Sequence, residues 1–263
     1  MNKLLKAGMA ALLAVGTLAG CSSSNGGSAG KEDASDVVTY TVGVSPDYQP
    51  YESLDTNGEM IGFDIDMVNL LEGYMSEEEG KTVELEFKQM DFDNIITQIQ
   101  GDQIDLGISG FTYSEDREVE WSVPYLGTKQ VAVLPEGSDI KSVDDLKGKS
   151  LVAQSGATGE LAANEVEGAT VTGLKNVQDI MNALSANQYD AAIIDLGVAK
   201  NYVANGSFTM LEESLMDEQN FIIAKKGNTE LIEKVNKAIE KFLASEDYLP
   251  MCEKYDLVPL EAE

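Results

Sequence analysis

The stretch VVTYTVGVSPDYQPYESLDTNGEMIGFDIDMVNLLEGYMSEEEGKTVELEFKQ, residues 37–89, decides the fold class. Val38, Tyr40, Val42 and Val44 alternate with Thr39, Thr41 and Gly43, and Val83, Leu85 and Phe87 alternate with Glu84, Glu86 and Lys88. A period of two residues is that of a strand. Between these runs Ile65, Val68, Leu71 and Met75 recur at helical spacing, with Asp64 placed to cap the first turn. Strand, helix and strand in this order form a βαβ unit, so the sheet is parallel at this point and helices cover it.

The same rhythm continues outward. Ile95, Ile96 and Ile99 form one face of a short helix closed by Gly101, and Ile104, Leu106 and Ile108 form a strand that runs into SGFT. From Lys129 the alternation restarts. KQVAVLP reads as a strand, SVDDLKG as a short capped helix, SLVAQSG as a strand ending at Gly156, and ATGELAANEVEG as a helix. Val177, Ile180, Met181 and Leu184 build a helical face behind Asn176, and the strand YDAAIIDL follows. QNFIIAKK is a further strand. Leu231, Val235, Ala238 and Phe242 stripe a long helix from Thr229, and EDYLPMCEKY is a last helical piece expected to break at Pro250. Two α/β lobes are implied. Ligands of such sheets bind beyond the carboxyl ends of the strands, where ISGFT (108–112) and AQSGATGE (153–160) supply small polar runs entering helices.

Composition narrows the function. Of 263 residues, 46 are Asp or Glu and 18 Lys or Arg, a formal charge of −28, which makes nucleic acid or an anionic membrane surface a poor partner. Histidine is absent, so Ser/His/Asp and Cys/His nucleophile arrangements and the common zinc sets are excluded. The two cysteines, Cys21 and Cys252, form no metal spacing and no disulfide framework. Asp64 and Asp66, two apart on a helix, point to different faces and do not make a metal pair. No cofactor is expected.

Residues 1–20 carry Lys3 and Lys6 ahead of an apolar run from Ala7 to Ala19, too short to span a bilayer, and read as an export signal. Leu18, Ala19, Gly20 and Cys21 resemble the lipobox of bacterial lipoproteins, in which the cysteine thiol takes a diacylglyceryl group. Loss of the two signal lysines leaves 16 basic against 46 acidic residues, a charge of −30, so lipid rather than charge is expected to hold the chain at the membrane. Residues 21–36 are the lipidated Cys and a flexible tether, whose SSSNGGSAGKEDASD run reaches about 20 Å.

YTVGVSPDYQPYE, NGEMIGFDIDMVNLL, FDNIITQIQGDQIDLGISGFTYSEDR, WSVPYLG, DLKGKSLVAQSGATGE and YDAAIIDLGVAKNYV follow one another in the order of the bacterial family 3 solute-binding proteins, the polar amino-acid-binding proteins of ABC importers. The chain resembles that family over nearly all of residues 38–256. The resemblance implies a type II periplasmic-binding-protein fold: two α/β lobes joined by two crossover strands with a ligand cleft between them. By analogy, lobe 1 is residues 37–129 plus 223–263 and lobe 2 residues 130–222. The implied function is an extracytoplasmic lipoprotein, a monomer anchored only by lipid on Cys21. It closes on a free L-amino acid or cystine and delivers it to the permease and ATPase subunits of an ABC transporter.

Arg117 is the only arginine, the other seventeen basic residues being lysines. One planar fork among lysines suits bidentate binding of a carboxylate. On residues alone, a structural ion pair with Asp116, Glu118 or Glu120 stands level with that reading. The resemblance implies that Arg117 grips the ligand α-carboxylate beside the backbone N–H groups of Thr112 and Thr158. It further implies that Asp195 pairs with the α-ammonium, helped by the Thr112 hydroxyl and the Gly110 carbonyl; as a plain residue Asp195 is a helix N-cap. Ser109, Gly156 and Ala157 complete the two loops. The side-chain end falls to Ser45, Tyr48, Phe92, Phe111 and Gln154. Several relatives carry an aspartate where this chain has Ser45, which disfavours a basic ligand unless Asp47 turns inward. A neutral polar or sulfur-containing amino acid is expected. The alternative is an enzyme on the same fold, a cyclohexadienyl or arogenate dehydratase, needing a general acid, which in the absence of histidine is a carboxylate such as Asp47 or Glu52, or a lysine. A sensor ectodomain is a third reading, weakened by the lack of a second apolar run long enough to span a membrane.

Overall fold

The computed structural model describes residues 37–260; the export signal, Cys21 and the tether fall outside the described residues. The chain runs β1 (Val37–Val44), β2 (Asp47–Tyr48), β3 (Glu52–Leu54), β4 (Met60–Ile61), α1 (Phe63–Glu79), β5 (Thr82–Gln89), α2 (Phe92–Gln100), β6 (Leu106–Gly107) and β7 (Val119–Trp121). It continues through β8 (Leu126–Pro135), β9 (Ser150–Gln154), α3 (Thr158–Asn164), β10 (Thr170–Leu174), α4 (Val177–Ser185), β11 (Ala191–Asp195), α5 (Leu196–Asn205), β12 (Phe208–Asn220), β13 (Ile223–Lys225), α6 (Thr229–Leu243) and α7 (Tyr248–Tyr255).

β1 and β5 pair in parallel from Val37 opposite Thr82 to Val44 opposite Gln89, with α1 as the crossover, which is the βαβ unit read from the sequence. They belong to a sheet ordered β5-β1-β6-β13-β7, in which the late strand β13 runs antiparallel to both neighbours. A second sheet, ordered β10-β9-β11-β8-β12, receives the chain between residues 126 and 220. The chain therefore leaves the first sheet once and returns once, and the two lobes are the helices and strands around each sheet. The long pair β8 and β12 is antiparallel from Leu126 opposite Asn220 to Pro135 opposite Phe208, with two bulges. α1 and α6 turn Phe63, Leu71, Val235 and Phe242 into one shared core.

Several expectations are corrected. Asp64 does not cap α1. The cap is Gly62 at φ 138°, where a side chain would collide with the Tyr51 carbonyl, and Asp64 sits fully buried in the first turn. α7 does not break at Pro250, because proline stands in its first turn, where no intrahelical N–H bond is lost. QNFIIAKK is two pieces, the end of β12 and β13, parted at Phe221 and Ile222. The capped helix near residue 143 is a single 3₁₀ turn, Val143–Leu146, held by a capping box between Ser142 and Asp145. The small sheet β2-β3-β4 was not anticipated.

Candidate functional site

The two loops singled out by their small residues meet across the contact between the lobes. The Arg117 guanidinium donates through Nη1 to the Thr112 carbonyl (2.8 Å) and through Nη2 to the Gly156 carbonyl of the other lobe (2.7 Å). It lies against two stacked rings, 5.4 Å from the Phe111 centroid and 5.8 Å from Phe92. Partial burial lowers its pKa to about 10, with the charge of Glu218 acting in the opposite direction, so it stays a cation. Its hydrogen bonds go to carbonyls rather than to Asp116, Glu118 or Glu120. An arginine has five N–H donors, and two are used.

The Thr112 and Thr158 hydroxyls share a hydrogen bond of 2.7 Å from lobe to lobe. Ala157 packs in one apolar cluster with Phe92 and Phe111. Gly110 holds φ 56°, and a Cβ there would meet the Tyr48 ring at 3.0 Å, so only glycine lets this loop pass beneath the tyrosine. Ser109 takes the Ser45 N–H and donates to Glu52. Ser45 donates its hydroxyl to Asp47 at 2.8 Å. The other Asp47 oxygen accepts the Val177 N–H at the start of α4, so this acid is turned to the opposite lobe; burial raises its pKa. Gln154 is not drawn to Arg117: its amide donates to the Lys175 carbonyl within lobe 2.

Asp195 is both the N-cap of α5, accepting the Gly197 N–H at 2.8 Å, and a meeting point of lobes. Tyr51 of lobe 1 donates to Oδ1 (2.8 Å) and Thr128 to Oδ2 (2.5 Å). Burial raises its pKa to about 6 despite these three donors. Beneath the Gly110 loop lies a second acid pair. Glu52 and Asp64 are fully buried; Asp64 accepts Tyr125 and the Gly110 N–H, and Glu52 Oε2 and Asp64 Oδ1 have no other donor. Burial, with the charge of the neighbouring acid, drives Glu52 well above the usual carboxylate range, and burial takes Asp64 up to about 6.

Sequence reading overlooked five residues on this contact: Tyr51, Thr128, Gln130, Glu218 and Asn220. Four of them lie on β8 and β12, away from the strand-end loops where ligand residues are usually sought. The signal was present, because Thr128 and Gln130 break an apolar strand at alternate positions, and polar residues on the inward face of a strand need partners.

The profile of the bacterial extracellular solute-binding proteins, family 3, matches residues 40–257. A probable histidine-binding protein of Neisseria gonorrhoeae is 29% identical over 227 residues, 82% of this chain and 82% of the relative. The arginine-binding extracellular protein ArtP of Bacillus subtilis is 30% identical over 236 residues, 85% of this chain and 86% of the relative. Among solved structures, an ancestral arginine-binding protein bound to arginine superposes with a TM-score of 0.74 at 36% identity, covering 82% of this chain and 97% of that one.

Proposed function

The chain belongs to the bacterial extracellular solute-binding proteins, family 3, and from that premise we propose that it captures one free amino acid between its lobes and delivers it to the permease of an ABC importer. The observation that carries this is Arg117: a lone arginine on the lobe contact, held by two carbonyls, with donors to spare and no carboxylate among its hydrogen-bond partners. A ligand carboxylate gains two parallel charge-assisted bonds there. The ammonium of the same ligand falls to the acidic side of the contact, where Asp195 and Glu218 stand. Each such bond contributes about 1.5–3 kcal/mol, so a few of them reach the roughly −8 kcal/mol of micromolar affinity.

The ligand class we assign is a neutral polar or sulfur-containing amino acid, cystine included. Asp47, the acid nearest Ser45, already accepts Ser45 and the N-terminus of α4, so it is not free to serve as counter-charge to a basic side chain. The ligands in the relatives' names, histidine and arginine, support the competing cationic class. The dehydratase alternative finds no support, since Glu52 is sealed under the Gly110 loop. The chain works outside the cytoplasmic membrane, held by lipid on Cys21 and the tether that follows.

The test is a thermal-shift screen of the twenty L-amino acids plus L-cystine. Saturation at about 100 Kd adds about 2.7 kcal/mol to the folded state. A neutral amino acid or cystine is expected to give the largest shift; arginine or histidine giving it overturns the neutral class, and no shift from any of them overturns amino-acid capture.

A further inference from the structure

The segment that follows α7 runs from one lobe onto the other. α7 ends at Asp256, whose left-handed backbone (φ 52°) turns the chain off the helix, while the Asp256 and Leu257 N–H groups close back on the Glu253 and Cys252 carbonyls. Both ends of the segment are pinned to lobe 1. At its start, Tyr248 of α7 packs edge-on against Phe242 of α6, with ring centroids 5.3 Å apart. At its far end, the Leu260 N–H donates to the Tyr248 hydroxyl (2.7 Å), which itself donates to the Tyr125 carbonyl (3.0 Å). The middle rests on lobe 2. Lys200 of α5 donates to the Asp256 carbonyl (3.2 Å) and carboxylate (3.0 Å). Leu257 is 8% exposed between two exposed neighbours, and it lies so close over Gly197 in the first turn of α5 that a Cβ there would stand 2.7 Å from its Cδ2.

A further contact falls on the crossing itself. β12 covers one edge of β8 from Leu126 to Pro135, but on the other edge β11 pairs only with Gln130 to Val133. The stretch of β8 that passes between the lobes, residues 126–129, therefore turns an edge without a strand partner away from β12. A bare edge offers free N–H and C=O groups. The Val258 carbonyl takes the Gly127 N–H there at 3.0 Å, an isolated antiparallel bridge. Thus five consecutive residues touch lobe 1, the crossing strand and lobe 2.

We propose that Asp256–Leu260 is a strap that sets the balance between closed and parted lobes: docked, it holds α5 against lobe 1, and a ligand leaves when the strap lets go of lobe 2. A contact made in one of two states shifts their equilibrium by its own free energy. Leu257 is the principal grip, because drawing it off Gly197 exposes an apolar side chain to water. The Lys200–Asp256 pair is solvent-accessible on both sides and contributes little. This rests on the reading of capture between the lobes and adds to it a device that touches no ligand.

The experiment compares the native chain with Leu257→Ala, Lys200→Ala, a chain ended after Tyr255, and Leu71→Ala, which opens a cavity under α1 far from the strap. The probe is the amino acid with the largest shift in the screen of twenty plus cystine, and its dissociation rate is read by isotope chase well below the melting range. Leu257→Ala and the shortened chain are expected to release it about 10-fold faster or more, with the association rate unchanged. Lys200→Ala should stay within about twofold. Leu71→Ala should lower the melting point and leave the release rate as it is, which separates a strap from mere loss of stability. Release at the native rate from Leu257→Ala overturns the strap and leaves amino-acid capture standing; so does equal acceleration in Leu71→Ala. If no amino acid shifts the melting point, capture falls, and the strap is read without ligand by X-ray scattering: a larger radius of gyration for Leu257→Ala than for the native chain supports it, and equal radii overturn it.

Discussion

Arg117 and Asp195 both stand on the lobe contact, one from each side, and the protein treats them in opposite ways. Asp195 has three donors arranged around it, two hydroxyls and an N–H, and is 1% exposed. Arg117 has two of five donors engaged, each by a main-chain carbonyl that a carboxylate would outbid. A charge surrounded by internal donors steadies the fold around it. A charge that keeps donors in reserve on the lobe contact is, on the function proposed above, the one that meets a ligand carboxylate. Identity of residue type does not separate these two roles, and hydrogen-bond accounting does.

The sharpest way to break this contrast is Arg117→Ala. It is expected to cost about 3–5 kcal/mol of ligand affinity, abolishing the shift in the amino-acid screen, while the melting point without ligand hardly moves. A ligand response that survives removes the binding half of the comparison. Asp195→Ala is the converse: it takes away the α5 cap and the acceptor of both the Tyr51 and Thr128 hydroxyls, which keep only their long 3.4 Å contact with each other, so a loss of about 2–4 kcal/mol of stability is expected without any ligand present. Urea unfolding measures it, and an unchanged midpoint would move Asp195 out of the scaffold.

The Glu52–Asp64 pair extends the contrast to pH. An acid whose folded pKa lies above its unfolded value of about 3.9 favours the protonated native state, so its contribution is complete below pH 4 and disappears as pH rises through the folded value. With Asp64 and Asp195 both raised to about 6, and burial raising Glu52 well above the usual carboxylate range, the chain should be more stable at pH 5 than at pH 7.5, by about 2–3 kcal/mol. Glu52→Gln mimics the protonated partner and is expected to flatten the dependence in melting scans. An equally steep curve would show that general repulsion among the acidic residues, rather than this pair, sets it. The smallest effect belongs to the exposed lobe-to-lobe ion pair of Lys175 with Asp93 at 2.9 Å. Asp93→Asn should leave both stability and affinity unchanged within error, because water screens such pairs.

Periodicity carried most of the architecture. The alternation in residues 37–44 and 82–89 and the stripe in α1 appear as read, since burying an apolar face is a local demand that the sequence must write at the spacing of its element. Where local signals competed, the reading slipped. Asp64 carries the chemistry of a cap, yet tertiary packing places its carboxylate under Gly110 and beside Tyr125, and Gly62 caps instead. Pro250 carries the chemistry of a breaker, yet in a first turn it breaks nothing.

The residue types alone decided that this chain has one arginine to spend, no histidine chemistry, and two α/β lobes, because composition and period need no partner to be read. Which acid lies near that arginine was decided only by the folded chain. Glu218 and Asn220 sit about a hundred residues from Arg117 in sequence, and the antiparallel register of β8 and β12 is what turns them, with Gln130, onto the same face. A side chain's unfilled hydrogen bonds depend on neighbours that arrive from remote parts of the chain, so they become countable only when the sheet has formed.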